Sequence, residues 1–186
     1  MLLNAARASI RAQAAQVAER HPRLEIRLLR GNVETRIAKL DRGEYDAIVL
    51  AAAGLMRLGL EGRIRARLEV GESLPAAGQG ALGIECLAAR REVVSLLAPL
   101  SDPDSTACVL AERAVSRALG GSCTLPLGAY AERSGTHLRL RALIASPDGR
   151  RVLRADAEGE DPERLGAQVA QALRGQGADD ILKSLA

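Results

Sequence analysis

The chain has 186 residues, with 26 lysines and arginines against 23 aspartates and glutamates, no phenylalanine or tryptophan, and 2 tyrosines. A formal charge of +3 with no long run of one sign excludes the basic arm of a nucleic-acid or membrane-surface binder, and the scarcity of aromatic rings excludes recognition by base stacking. At 47% hydrophobic and 26% charged residues the sequence can bury an aliphatic core in one or two soluble domains, and its charge balance suits a small acidic ligand.

Ala5 to Arg20 is an alanine-rich helical stretch with Asn4 placed to cap it, and His21-Pro22 ends it. Leu24 to Leu29 reads as a strand and Arg30-Gly31-Asn32 as a turn. Asn32 then caps a helix through Leu40, after which Gly43 sits where a helix end takes a left-handed residue. Asp46 to Ala51 is a second apolar strand and Ala53 to Leu60 a short helix. This alternation predicts an α/β fold, a parallel sheet covered by helices. Between Gly71 and Gly83, glycines and Pro75 mark a connection; Ala81 to Cys86 follows as a strand, and the segment reads as a crossover between domains.

Asp102 before Pro103 opens a helix whose apolar stripe is Ala107, Leu110, Ala111, Ala114, Val115 and Ala118, and Gly120-Gly121 stops it. Leu127 to Arg133, His137 to Ala145 and Arg151 to Ala157 read as strands, with Pro147-Asp-Gly149 as a hairpin turn. Asp161-Pro162 opens a terminal helix. This second part is predicted to be α+β, a small antiparallel three-stranded sheet flanked by helices.

Cys86, Cys108 and Cys123 are odd in number, lack CxxC spacing and have no histidine nearby, which argues against a disulfide framework and against a zinc site. Met1 to Ile10 lacks the apolar core of a secretory signal, and no uncharged stretch approaches the roughly 20 apolar residues of a bilayer crossing. A cytoplasmic chain with reduced thiols is expected.

Three features could carry chemistry. In Leu119-Gly-Gly-Ser-Cys-Thr-Leu-Pro126, two glycines give Cys123 an open loop with room for an adduct larger than the side chain. Cysteine is also among the most buried residue types, and no base or cation stands near it in sequence, so spacing alone leaves an adduct-bearing thiol and a packing thiol both open. Cys86 on a strand and Cys108 on a helix read as packing residues. Arg30 and Arg57 follow strands, and Arg36 lies in the helix after Arg30. Ligands of a parallel sheet collect outside the carboxyl ends of its strands, and the planar guanidinium suits carboxylates, so these arginines could share one pocket. Arg63, Arg65 and Arg67 show that arginines solvating a face are equally common here. Gly78-Gln-Gly80 lacks the lysine and third glycine of nucleotide-binding loops and reads as a hinge.

Several long stretches match one family in order from about Ser9 to the C-terminus. They are Leu29-Arg-Gly-Asn-Val-Glu-Thr-Arg36, Lys39-Leu-Asp-Arg-Gly-Glu-Tyr-Asp-Ala-Ile-Val-Leu50, Ala53-Gly-Leu-Met-Arg-Leu-Gly-Leu60, Leu74-Pro-Ala-Ala-Gly-Gln-Gly-Ala-Leu-Gly-Ile-Glu85, Ala111-Glu-Arg113 and Gly121-Ser-Cys-Thr-Leu-Pro-Leu-Gly128. Together they strongly resemble porphobilinogen deaminases. The resemblance implies a transferase (hydroxymethylbilane synthase) of tetrapyrrole and haem biosynthesis that joins four porphobilinogen units with release of ammonia. The growing chain would sit on a dipyrromethane cofactor bound by a thioether to Cys123, with porphobilinogen and pyrrole oligomers as partners. Arg30, Arg36 and Arg57 would bind the acetate and propionate groups, Arg11 would keep a related role, and Gln79 would line the same cleft.

By the same resemblance, residues 1–74 would be part of a second, periplasmic-binding-protein-like domain with a parallel sheet. Residues 75–100 would be a crossover returning to a first domain, and residues 101–186 the cofactor-carrying α+β domain. Two departures stand out. The family's catalytic aspartate lies in a first domain that has no counterpart here, so the isolated chain is expected to be inactive and without its cofactor. The family pattern Ser-Leu-Arg-Arg appears as Ser9-Ile-Arg-Ala12, and Leu2 to Ala8 does not resemble the expected strand and turn, which points to a truncated or misread gene start. The competing readings are a non-catalytic binding fragment for carboxylated pyrroles, half of a split enzyme pairing with a separately encoded N-terminal domain, and a fragment that self-associates through edges around residues 80–98.

Overall fold

A computed structural model describes residues 5–121, 125–146 and 148–184, with side chains from residue 11 onward. Its helices are α1 (Ala5–Arg20), α2 (Val33–Asp41), α3 (Ala52–Arg57), α4 (Arg91–Leu97), α5 (Pro103–Ala118), α6 (Pro162–Gly175) and α7 (Ala178–Lys183); its strands are β1 (Leu127–Ser134), β2 (His137–Ala145) and β3 (Val152–Gly159). Short 3-10 turns occupy Glu61–Arg63 and Ala98–Leu100. The chain divides into two units, Leu24–Glu69 and the combination of Met1–Arg23 with Val70–Ala186.

The larger unit is organised by its sheet, antiparallel in the order β1-β2-β3, with Leu127 opposite Ile144 and Leu140 opposite Ala157. Alternation along the strands sends Leu127, Ala129, Ala131, Leu138, Leu140, Ala142 and Ile144 to one face. There they meet Ala111 and Val115 of α5 and Leu165, Val169 and Leu173 of α6. Leu138, Leu140, Leu165 and Leu173 are at most 2% exposed, and removing each from water contributes about 2 kcal/mol. Both helices start on the expected caps: Asp102 Oδ2 accepts from the Ser105 N–H at 2.8 Å, Asp161 Oδ1 accepts from the Arg164 N–H at 2.8 Å, and a proline follows each cap. The opposite face of the sheet packs Leu143 against Ala12 of α1 and Leu74. Gln16 of α1 is 3% exposed and clasps Leu74 from both sides, its amide donating to the Leu74 carbonyl at 3.1 Å and its oxygen accepting the Leu74 N–H at 2.8 Å.

In the smaller unit Asn32 caps α2, its Oδ1 accepting the Thr35 N–H at 2.8 Å, and Gly43 ends the helix at φ +73°. Ile37 of α2 and Leu55 of α3 are the buried apolar side chains of these helices.

The expected parallel sheet is absent among the described residues. Segments 24–29, 46–51 and 81–86 carry no strand pairing. Their apolar side chains remain open to water, with Leu24 58%, Leu28 65%, Val49 54% and Leu82 97% exposed. Alternation makes a segment fit for a sheet, but only a neighbouring ladder of N–H and C=O groups makes it a strand, and among the described residues these three pair with no such neighbour. The helices, by contrast, are internally bonded: α1, α2, α5 and α6 form where expected, while α4 forms inside the stretch read as a crossover and α7 follows α6 as a separate short helix. Two smaller differences follow from packing: the helix expected over residues 53–60 closes at Arg57, and α5 is rotated so that Leu110 is 40% exposed while Glu112 is buried. The expected cap Asn4 and the turn residue Pro147 lie outside the described residues.

Candidate functional site

The loop that should carry Cys123 is fixed at both ends, while Cys123 itself lies outside the described residues. Upstream, α5 closes on Leu119, 1% exposed, and the chain leaves through Gly120 at φ +104° and Gly121 at φ +62°. Side chains with a Cβ rarely adopt such backbone, so the glycine pair is required by the exit geometry. The Gly121 N–H donates to the Ser116 carbonyl at 2.8 Å, which seals the helix end. Downstream, Leu125 and Pro126 are buried, and the Pro126 carbonyl accepts the Ala145 N–H at 3.0 Å. An exposed glycine pair therefore stands between two anchored ends.

Arg30, Arg36 and Arg57 all belong to the smaller unit. Arg30 precedes Gly31, whose φ of +123° turns the chain into α2. Arg36 is half-buried on α2 and donates from Nε to the Gly31 carbonyl at 2.8 Å, and Lys39 donates from Nζ to the Arg30 carbonyl at 3.4 Å. The turn is thus braced by two basic side chains. The terminal nitrogens of Arg36 and the guanidiniums of Arg30 and Arg57 have no acid partner among the described residues. Such groups can each take a carboxylate through paired N–H donors, so the donor set fits an anionic, carboxylated ligand. Arg57, the last residue of α3, is exposed.

Arg11 and Gln79 belong to the larger unit, and both are exposed. Arg11 projects from α1. Gln79 shapes its own turn, with its Oε1 accepting the Ala76 N–H at 3.0 Å and its N–H donating to the Ala76 carbonyl at 3.0 Å. Gly78 turns the chain in the left-handed region at φ +72°.

Neither of the other cysteines behaves alike. Cys86, expected to pack inside a strand, is exposed on a segment without strand pairing, a correction that follows from the missing strand partner. Cys108 is half-buried against the core; burial pushes its thiol up, and the nearby carboxylates of Glu112 and Asp104 push it further, so it is held as a thiol. Among the described residues no group of three or more His, Cys, Asp or Glu side chains could hold a metal ion, and no helix is long and apolar enough to cross a membrane.

One residue with structural reach escaped the sequence reading. Glu112 lies within the buried face of α5. It bonds two backbone N–H groups, Gly78 at 2.6 Å and Ala131 at 2.9 Å. The signal was present as Cys108, Glu112, Val115 and Leu119 at helical spacing, an acid inside an apolar face.

The fold and these elements define an α+β chain of helices over an antiparallel sheet, joined to an arginine-bearing helical unit. Comparison with known families makes the assignment specific. Residues 5–95 match the family model described as porphobilinogen deaminase, dipyromethane cofactor binding domain, and residues 106–175 match the one described as porphobilinogen deaminase, C-terminal domain. The chain belongs to the porphobilinogen deaminase family. It is 57% identical over 173 residues to the porphobilinogen deaminase of Bordetella parapertussis, covering 92% of this chain and 55% of that protein. It is 54% identical over 171 residues to that of Acidithiobacillus ferrooxidans, covering 92% of this chain and 56% of the relative. The chain thus spans about half the length of the curated relatives it matches.

Proposed function

We propose that this chain contributes the cofactor-carrying part of a hydroxymethylbilane synthase, a cytoplasmic transferase that joins porphobilinogen units with loss of ammonia. The observation that carries the reading is the match of residues 5–95 to a dipyrromethane-binding family model, on a chain whose braced turn holds Arg30 and Arg36. Cys123 would hold the dipyrromethane through a thioether. Arg30, Arg36 and Arg57, with Arg11, would neutralise its acetates and propionates, and Gln79 would line the cleft. An unpaired carboxylate in a cleft is costly, so a ligand with two carboxylates per ring needs such a set. When bound, the cofactor supplies the primer on which pyrroles are joined; this chain's residues hold and neutralise it. Residues 1–74 would belong to a binding-protein-like domain whose parallel sheet is completed elsewhere, residues 75–100 would cross to a first domain, and residues 101–186 would carry the cysteine.

The test is intact mass. Expressed alone, the 186-residue chain is expected to show its bare mass and no turnover. Joined to the segment that precedes the matched region in the Bordetella parapertussis relative, it should gain an adduct of two pyrroles that is lost in Cys123→Ser. A bare mass in the joined form, or an adduct that survives Cys123→Ser, would refute the assignment.

A further inference from the structure

Glu112 is the one buried charged side chain among the described residues, 6% exposed. Its two carboxylate oxygens answer two backbone donors from segments far apart in sequence. The Gly78 N–H donates to Oε2 at 2.6 Å and the Ala131 N–H to Oε1 at 2.9 Å. No guanidinium or ammonium group pairs with it among the described residues. Two converging donors call for two acceptor atoms. A glutamine of the same shape offers one oxygen and sets its own N–H₂ against the other donor, whereas a carboxylate satisfies both.

What the two bonds join gives Glu112 its role. Gly78 begins the turn that carries Gln79, closed by the Ala81 N–H donating to the Gly78 carbonyl at 3.2 Å. Ala131 lies on β1, and α5 itself leads on to Leu119 and the glycine pair ahead of Cys123. A single side chain therefore links the Gln79 turn, the sheet and the helix that delivers the cysteine loop.

We propose that Glu112 is a positioning residue whose carboxylate locks the turn at residues 75–81, and Gln79 with it, in register with α5 and β1. It touches no substrate. The inference rests on the function proposed above only for what the turn is held for; the lock itself stands on the geometry.

Amide hydrogen exchange on the 186-residue chain tests the lock. In Glu112→Gln the Gly78 and Ala131 amides are expected to exchange roughly tenfold faster or more, the scale of one lost bond to a charged group. The Leu140 and Ala142 amides on the central strand should keep their rates. Equal acceleration at those reference amides would mean general loosening and would overturn the proposal, as would unchanged Gly78 and Ala131. Should the glutamine variant fail to fold, Glu112→Asp retains the charge but falls short of spanning both donors, and selective acceleration at Gly78 or Ala131 is expected there. The joined form described above then shows what the lock serves: Glu112→Gln should lower the fraction of molecules carrying the pyrrole adduct. An undiminished fraction refutes positioning of the site. Absence of the adduct from the parent form refutes the proposed function instead, with the amide result still deciding the lock.

Discussion

Replacing Gly166 by alanine should destabilise the larger unit by about 2 kcal/mol, although alanine is the better helix former. Gly166 lies on α6 where it crosses α5. An added Cβ would stand 2.3 Å from the Ala114 Cβ, 2.7 Å from the Ala111 carbonyl oxygen and 3.0 Å from the Val115 nitrogen. All three atoms are helix backbone or the first side-chain carbon, so no rotamer change relieves the contact and the helices must separate. Forcing a methyl group into a packed interface costs about 1–3 kcal/mol, and contact with backbone puts this site at the upper end. Helix propensity returns up to about 1 kcal/mol, which leaves a net loss near 2 kcal/mol. For a chain of this size that corresponds to a fall in Tm of roughly 4–8 °C. Thermal and urea unfolding followed by circular dichroism would measure it. Gly175→Ala is the control, because a Cβ there meets nothing within 4 Å and the substitution should be neutral or slightly stabilising. Gly166→Ala as stable as the parent would show that α5 and α6 are not in close contact at this crossing.

The Glu112 carboxyl gives a pH dependence of definite sign. Burial pushes its pKa above 4.5 against the pull of the Ala131 and Gly78 N–H groups, so the folded state holds its proton more tightly than the unfolded state does. The stability tied to that proton is complete below 4.5 and is lost as pH rises through the raised native value. Urea unfolding should therefore show the parent losing stability relative to Glu112→Gln from pH 4.5 toward neutrality. Subtracting the variant removes carboxylates of opposite sign such as Glu19, held low by Arg154; a relative gain over that range would show that burial is not the dominant influence. Thiol labelling in the folded state should modify exposed Cys86 rapidly and Cys108 slowly, since burial pushes the Cys108 thiol up. Comparable rates at the two would contradict the packing of α5.

Local signals were readable in the sequence and long-range ones were not. The caps Asn32, Asp102 and Asp161 each act through a side chain and a backbone N–H three residues away, so residue type alone placed three helix starts. The antiparallel strands were legible because hairpins join neighbours in sequence, as the register from Ser134 to His137 shows. Segments 24–29, 46–51 and 81–86 carry the same kind of pattern, but a pattern names a face and not a partner. Arginine identity likewise revealed donors suited to carboxylates, while the bracing of their turn by Lys39 and Arg36 depends on backbone carbonyls that no motif announces. Glu112 was hidden for a related reason: reading the stripe from leucine and alanine put Leu110 inside, and the side chain actually turned inward is the acid that two distant amides require.

The outer rim of β1 has a consequence for how the protein survives in a crowded cell. Its Ala129 and Ala131 amides are occupied by the Pro75 carbonyl and by Glu112, so the strand offers little for a stray chain to zip onto. Whenever the stretch before residue 81 peels away, that rim is bared beside aliphatic side chains. Newly made or stressed molecules therefore offer this rim to other chains until the stretch has docked, and its arrival closes the β1 side of the sheet.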